Sequence, residues 1–423
     1  MNSGYRRLSL ITAAVVLAAS ALAPAPGGGT AWAQKEQRPP PETRKAKALS
    51  QRMAKLLTQC QDLQKENKFK ECLAVLDGID KEKLDEYEKA TVDQFYGFTW
   101  VNLENYPKAI KYFKSAIDSH ALSFNTEQAM IFNTAQLLLA TEKIKDGIVM
   151  LEEWLRLAES PTGTQIMTIA NAYVQDDRYT DALPLAERAV SMVQDPAESW
   201  LNLLVSLYMD RKFYKKALPH LEVLATKHPK KEYWTRLAAV YGEVGQEKKS
   251  LVALELAYGQ GFLTEDRDLV RLAQLYLYNE IPYKAAVLLD KEMKAGRTEK
   301  TEANWELLGN SWLQSREVKR SLEPLSNAAK LAKDGGLWVR VAQVQVELED
   351  WKGCNDALAA ALKKGDLDDP GSIHILRGIC LFNSDSFDSA AREFNQALKY
   401  KDYSKTATQW LKVISSKRDG SAE

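Results

Sequence analysis

Histidine and cysteine are scarce in this chain, with four of each among 423 residues. So few ligands argue against a structural zinc protein, and so few cysteines against a disulfide-stapled miniprotein. Charge of one sign is not in excess either: 57 Lys+Arg stand against 57 Asp+Glu. A general nucleic-acid binder would carry a basic face and a pI above about 9. Catalytic signatures are missing too. There is no Gly-rich phosphate loop, no H-E-x-x-H and no G-x-S-x-G. A non-enzymatic protein with no cofactor, no metal and no nucleic-acid partner is expected. Apolar residues make up 45% of the chain, enough for an ordinary core. The length suits two or three domains, or one long repeat array.

One long apolar run exists, at the N-terminus. Arg6 and Arg7 precede the run at residues 8–23, and Ala31-Trp32-Ala33 follows before Gln34. A short positive start, an apolar stretch and an A-x-A site make a secretory signal peptide, expected at residues 1–33. The run is shorter than the roughly 20 residues of a spanning helix. No other stretch is long and apolar enough to span a bilayer, so no transmembrane segment is expected after cleavage. Two arginines and no acid leave with the signal, so the remaining chain is slightly acidic. Residues 34–47 hold Pro39, Pro40 and Pro41 and read as an extended Pro-rich linker.

From about residue 48 apolar residues recur at helical spacing, with Gly and Pro mainly between helix-length segments. Trp305-x2-Leu308-Gly309-x2-Trp312 and Trp234-x2-Leu237-Ala238-x2-Tyr241 repeat one pattern. Gly97-x2-Trp100 followed by Ala109-x3-Phe113 and Ala116 supplies both halves of a hairpin. The pattern resembles the tetratricopeptide repeat (TPR), whose period is about 34 residues.

A small first-helix residue can be followed along the chain: Gly97, Ala135, Ala170, Val205, Ala238, Ala273, Gly309, Ala342 and Gly378, with Val205 the bulkier member. Twelve residues after each comes a second small residue: Ala109, Gly147, Ala182, Ala217, Ser250, Ala285, Ser321, Cys354 and Ala390. Large side chains at these positions would push paired helices apart. Aromatics three residues after the first position, such as Tyr173, Tyr208 and Trp312, fill the space between helices. Cys60 and Cys72 place a further unit upstream. The expected fold is all-α: a TPR-type α-solenoid at residues 48–416, a right-handed superhelix of about ten hairpins. A capping helix at about 403–416 covers its open end, and residues 417–423 form a tail.

Cys60 and Cys72 occupy the two facing positions of one hairpin, so a disulfide is expected there in an exported protein. Cys354 and Cys380, in neighbouring units, are a second candidate pair. The four histidines, His120, His220, His228 and His374, are scattered and suggest no metal site.

First helices line the concave side of such a stack. The residue after each small position points into the groove. Six of these nine are amide or hydroxyl side chains: Gln136, Asn171, Ser206, Gln274, Asn310 and Gln343. Three residues further along lie Leu139, Val174, Met209, Leu277, Leu313 and Val346. Amides beside an apolar stripe suit an extended peptide; equally, they suit simple solvation and padding of the superhelix. No row of Lys or Arg occupies these positions. Lys215, Lys216, Lys230 and Lys231 read as a solvated face.

Residues 233–289 carry a closer likeness. Tyr233-Trp234, Tyr241-Gly242-Glu243, Ala257-Tyr258, Gly261-Phe262-Leu263-Thr264 and Pro282-Tyr283-Lys284-Ala285-Ala286 resemble the central block of periplasmic TPR proteins of Gram-negative bacteria. Those are encoded beside ExbB, ExbD and TonB-type components. The likeness continues weakly over residues 50–415, including the Gly378 hairpin and Gln409-Trp410-Leu411. It implies a periplasmic scaffold supporting TonB-dependent outer-membrane transport, with TonB/ExbB/ExbD-type partners and no catalytic residues. The competing assignment is a TPR scaffold in outer-membrane protein or envelope polysaccharide assembly. The Cys60/Cys72 hairpin stands outside the family pattern. In the central block, Gly259 and Gly261 break a helix end and Phe262-Leu263 follow, forming either an inter-repeat turn or a binding loop. Thr264 is expected to cap the next helix, with Asp266 and Asp268 in its first turn.

Overall fold

The computed structural model describes residues 47–418. The expected signal segment, all but the last residue of the Pro-rich linker, and residues 419–423 lie outside the described residues.

Among the described residues the chain forms twenty-one α-helices and no strand. Twenty of them pair into ten hairpins. They are α1 (Gln51–Lys65) with α2 (Phe69–Asp77), α3 (Glu86–Asn102) with α4 (Tyr106–Asp118), and α5 (Phe124–Ala140) with α6 (Ile144–Leu157). Then come α7 (Gly163–Gln175) with α8 (Tyr179–Ser191), α9 (Glu198–Asp210) with α10 (Tyr214–Lys227), and α11 (Lys231–Glu243) with α12 (Glu247–Gly259). The last four are α13 (Asp266–Tyr278) with α14 (Pro282–Lys294), α15 (Glu302–Gln314) with α16 (Val318–Leu331), α17 (Gly336–Glu347) with α18 (Trp351–Lys364), and α19 (Pro370–Asn383) with α20 (Phe387–Ala397). Each helix packs on the next in chain order, so every hairpin rests on its neighbours. This is the quasi-one-dimensional arrangement of a solenoid, here an all-α one of the TPR type. No helix among the described residues is long and apolar enough to cross a membrane.

Local chemistry sets the helix ends. Ser50, Asp85, Asn105, Ser123, Thr301, Asp350 and Asp369 each accept a backbone N–H in the first turn. Thr162 and Gln165 form a reciprocal capping box. The hairpin turn is the same in all ten units. Its left-handed residue is Asn67, Glu104, Glu142, Asp177, Lys212, Gly245, Glu280, Arg316, Glu349 or Asp385. Each sits seven residues after the small residue of its first helix. Only Gly245 holds that conformation without a Cβ penalty.

All the small positions are buried. Ser250 Oγ donates to the Ala238 carbonyl at 2.7 Å, a direct contact between the paired positions twelve residues apart. The aromatics of the first helices do more than fill space. Tyr173 donates its hydroxyl to Glu152 at 2.8 Å, Tyr208 to Glu187 at 2.8 Å and Tyr276 to Glu255 at 2.7 Å; Tyr241 does the same to Glu222. Each acceptor belongs to the second helix of the preceding hairpin. A cation from the tyrosine's own hairpin lies over the ring: Arg178, Lys216, Lys249 and Lys284 in turn. A tyrosine, a carboxylate and a cation therefore lock four successive junctions. Burial and the carboxylate acceptor push the Tyr173 and Tyr241 hydroxyls up to about 12.

Helix α21 (Ser404–Arg418) closes the C-terminal end. Its Ala407 and Ile414 are buried, and Trp410 stacks on Phe394 with ring centroids 5.5 Å apart. Thr264 does not cap α13. The cap position is Glu265, without a side-chain cap bond, while Asp266 and Asp268 stand in the first turn as expected and also bond between repeats. Asp266 accepts from Glu299 N at 2.9 Å and Asn304 Nδ2 at 3.2 Å, and Asp268 pairs with Lys231 at 2.7 Å. Leu263 is buried and Phe262 packs against the core, so this loop works as an inter-repeat turn.

Candidate functional site

The twelve candidate contact residues all lie on first helices: Gln136 and Leu139 on α5, Asn171 and Val174 on α7, Ser206 and Met209 on α9. Gln274 and Leu277 follow on α13, Asn310 and Leu313 on α15, and Gln343 and Val346 on α17. They share one register, but their polar groups are not equally available. Gln136, Gln274 and Gln343 are exposed. Asn171 is exposed too, but its Nδ2 donates to the Met167 carbonyl at 3.0 Å; Ser206 Oγ donates to Asn202 O at 2.9 Å. Ser206 thus spends its one donor on its own helix and is left as an acceptor, while Asn171 keeps its carbonyl oxygen and one amide hydrogen. Asn310 Nδ2 lies 3.5 Å from Glu306, and its Oδ1 is buried without a partner. The amide ladder is thus three free glutamines with partly engaged groups between them.

The apolar stripe is half-buried throughout. Leu139, Val174, Met209 and Leu277 pack on the main core, and Leu313 and Val346 on the next. These side chains support the helix pairs beneath and offer only their outer edges to a ligand.

Charge on the first helices escapes inspection of the single register after the small residue. Arg236, Arg271 and Arg340 sit two residues before it. Arg236 donates to Asn202 Oδ1 on the preceding first helix at 2.9 Å and pairs with Glu232. Arg340 reaches Glu306 at 3.6 Å. Arg271 is exposed. The signal that could have found them is their common place before Ala238, Ala273 and Ala342.

The four lysines read as a solvated face divide. Lys216 pairs with Glu187, Lys230 with Glu198, and Lys231 with both Glu265 and Asp268. Their partners lie on neighbouring hairpins, so these three are junction residues, and only Lys215 keeps the solvated reading.

The structure joins Cys60 to Cys72 within the first hairpin, with Cα atoms 4.6 Å apart. It joins Cys354 on α18 to Cys380 on α19 with Cα atoms 6.1 Å apart. Both separations lie within the usual disulfide range. His374 Nδ1 lies 2.7 Å from Glu393 and His220 stacks on Tyr208, so both are engaged locally. No group of three or more His, Cys, Asp or Glu among the described residues is placed to hold a metal ion.

No curated protein matches this sequence. Among solved structures, similar chains include YrrB, described as a TPR protein with an unusual peptide-binding site. It is 14% identical, with 40% of this chain and 84% of that one covered and a TM-score of 0.33. A tetratricopeptide repeat protein from Parabacteroides merdae ATCC 43184 is 14% identical over 60% and 98%, with a TM-score of 0.31. The TPR2AB domain of yeast Sti1 in a pHSP90 complex is 13% identical over 60% and 98%, with a TM-score of 0.32. At such identity and overlap the likeness says nothing about ligands. Residues 167–232 match the tetratricopeptide repeat family model, and the ten hairpins extend that hairpin architecture along the described chain as a TPR-type solenoid, a fold suited to protein–protein interaction.

Proposed function

We propose that this protein is a non-enzymatic periplasmic scaffold that takes an extended segment of a TonB/ExbB/ExbD-type envelope partner along its first helices, in support of TonB-dependent outer-membrane transport. The observation that carries the peptide-binding part is the free glutamine row. Gln136, Gln274 and Gln343 recur in one register, are exposed, and offer both a donor and an acceptor to a peptide backbone. Arg271 adds a cation on the same helix as Gln274. The export reading is supported by the N-terminal Arg6-Arg7 start with its A-x-A site, and by four cysteines paired as an oxidising compartment would pair them. The TonB-system reading rests on the resemblance over residues 233–289.

The test is in-cell photocrosslinking from Gln274 and Asn310, with capture identified by mass spectrometry, alongside growth of a deletion strain on substrates needing TonB-dependent uptake. A TonB-system component captured from both positions, with slowed uptake, is the expected result. Normal uptake with altered outer-membrane protein levels would replace this reading with one in envelope assembly.

A further inference from the structure

The second helices carry a feature that neither folding nor the first-helix groove uses. Two residues after the small position of α6, α8, α10, α12 and α14 stand Val149, Pro184, Pro219, Val252 and Val287. All five are exposed, the valines at 63%, 50% and 41%. The same register holds Lys111 on α4 and Glu323 on α16, so the apolar row is confined to five consecutive hairpins. One helical turn before this row, and on the same face by i,i+4 spacing, stand Lys145, Lys215 and Lys248. All three are exposed, and none makes an ion pair among the described residues.

Four of the acidic side chains on these helices are engaged at the junctions, while Asp146, Glu153 and Glu247 make no ion pair among the described residues. Glu152, Glu187, Glu222 and Glu255 accept from the junction tyrosines, and Glu187 and Glu255 also pair with Lys216 and Lys284. The apolar row therefore runs beside three exposed lysines that make no ion pair, with Glu153, one turn after Val149, an exposed carboxylate at the α6 end of the same face. Near the middle of the row opens a cleft of about 540 Å³, whose wall carries half-exposed Phe213 with Lys212, Lys215 and Lys216, and Glu243 from the next hairpin. Pro184 and Pro219 also lack the amide hydrogen that would engage the Thr180 and Lys215 carbonyls four residues earlier, which leaves two main-chain acceptors along the row.

We propose that this second-helix face, from α6 to α14, is a docking surface for an extended acidic segment of a protein partner, separate from the first-helix groove. The matching segment interleaves apolar residues with carboxylates along the five hairpins. The apolar side chains meet the valines and prolines. The carboxylates meet Lys145, Lys215 and Lys248. Such binding weakens as salt rises, because the lysines are solvent-exposed.

The probe is a fluorescein-labelled peptide of four Asp-Glu-Leu triplets, read by anisotropy against the purified protein. A peptide of equal composition with its leucines at one end is the control. Binding of the triplet peptide is expected, at least about tenfold stronger than the control. The combined changes Val149→Glu, Val252→Glu and Val287→Glu should weaken it at least about tenfold. Lys215→Glu with Lys248→Glu should weaken it and flatten its salt dependence. All five sites are exposed, so unchanged circular dichroism melting is expected and certifies the fold. Equal binding by wild type and variants, or no binding to wild type, overturns the proposal. So does variant-sensitive binding to phosphatidylglycerol vesicles, or variant-sensitive self-association in sedimentation, without peptide binding.

Discussion

Gly97 and Phe113 divide one volume between them: a Cβ on Gly97 would lie 2.3 Å from the Phe113 ring. The relation recurs sixteen residues apart at Gly378 and Phe394, at 2.5 Å, and at Gly309 and Leu325, at 2.6 Å. Helix pairs at these hairpins close only because the first helix gives up its side chain to a large residue on the second. Gly97→Ala would gain roughly 1 kcal/mol of helix propensity on an exposed helix. Here the clash should dominate, with a net loss of about 1–3 kcal/mol. Pairing it with Phe113→Leu should recover part of that loss. Additive losses in urea titrations of the two single variants and the double variant would refute the shared-volume account.

The left-handed turn residues are expected to be sites of easy stabilisation. Glu104 and Glu280 hold φ of 56° and 59° and are exposed. Removing the Cβ relieves about 1–2 kcal/mol of backbone cost, offset by the added freedom of the unfolded chain. Glu280→Gly should therefore raise stability by about 0.5–1 kcal/mol in thermal unfolding. A lower melting temperature would show that the glutamate has a hidden role.

The two cystines sit near opposite ends of the solenoid, in hairpin one and between hairpins nine and ten. End repeats have one neighbour each and fray first. Closing a loop of this size constrains the unfolded chain by on the order of 3 kcal/mol. Alkylation should therefore label no cysteine until reductant is added. After reduction, hydrogen exchange should quicken in α1–α2 and α18–α19 while α9–α12 changes little. Four cysteines alkylated without reductant would remove this account.

The junction tyrosines give an alkaline signature. With Tyr173 and Tyr241 raised to about 12 in the folded state, their contribution is complete below the ordinary tyrosine range near 10. It declines above that and is gone once pH passes about 12. Absorbance at 295 nm should show tyrosines ionising late, together with loss of helicity. Tyr241→Phe should remove one late-titrating group and cost about 1 kcal/mol. Ionisation of every tyrosine near 10 with helicity intact would contradict the hydrogen bonds to Glu152 and Glu222.

An acid-side test follows from Glu292. The side chain is fully buried, and its bond from Arg297, with another from Tyr258, holds the carboxyl below its usual range. A lowered folded-state value means its contribution is present above the ordinary carboxylate range and is lost as pH falls through the lower folded value. Glu292→Gln should flatten the acid limb of the stability curve around and below pH 4. An unchanged acid limb would count against it.

The repeat register was legible because it depends on side-chain size. Gly, Ala, Ser or Cys is needed wherever two helices touch most closely, and that demand leaves a mark at fixed spacing. The same track located the Cys60–Cys72 pair, both in small-residue positions, whereas Cys380 stands outside the track and the stacking of hairpins nine and ten brings it to Cys354. Thr264 does not cap because α13 begins one residue later than the sequence suggests, with Glu265 at the cap position, while the added roles of Asp266 and Asp268 toward Asn304 and Lys231 depend on neighbouring repeats. Arg236, Arg271 and Arg340 do not show in the register after the small residue because they stand three residues earlier on the same first helices.

Amino-acid order alone determined the helical period, the ten hairpins and the positions that must stay small, because helix approach distance is set by the side chains at the contact. Tertiary structure alone decided which charges are free. Lys216, Lys230 and Lys231 look like Lys215 in the sequence, yet each finds a carboxylate on a neighbouring hairpin roughly one repeat away, and Lys215 finds none. Pairing of that kind depends on how successive hairpins stack, and local sequence does not encode it. The same holds for the glutamines: Gln136, Gln274 and Gln343 extend into solvent, while Asn171 and Ser206 turn back onto their own helix.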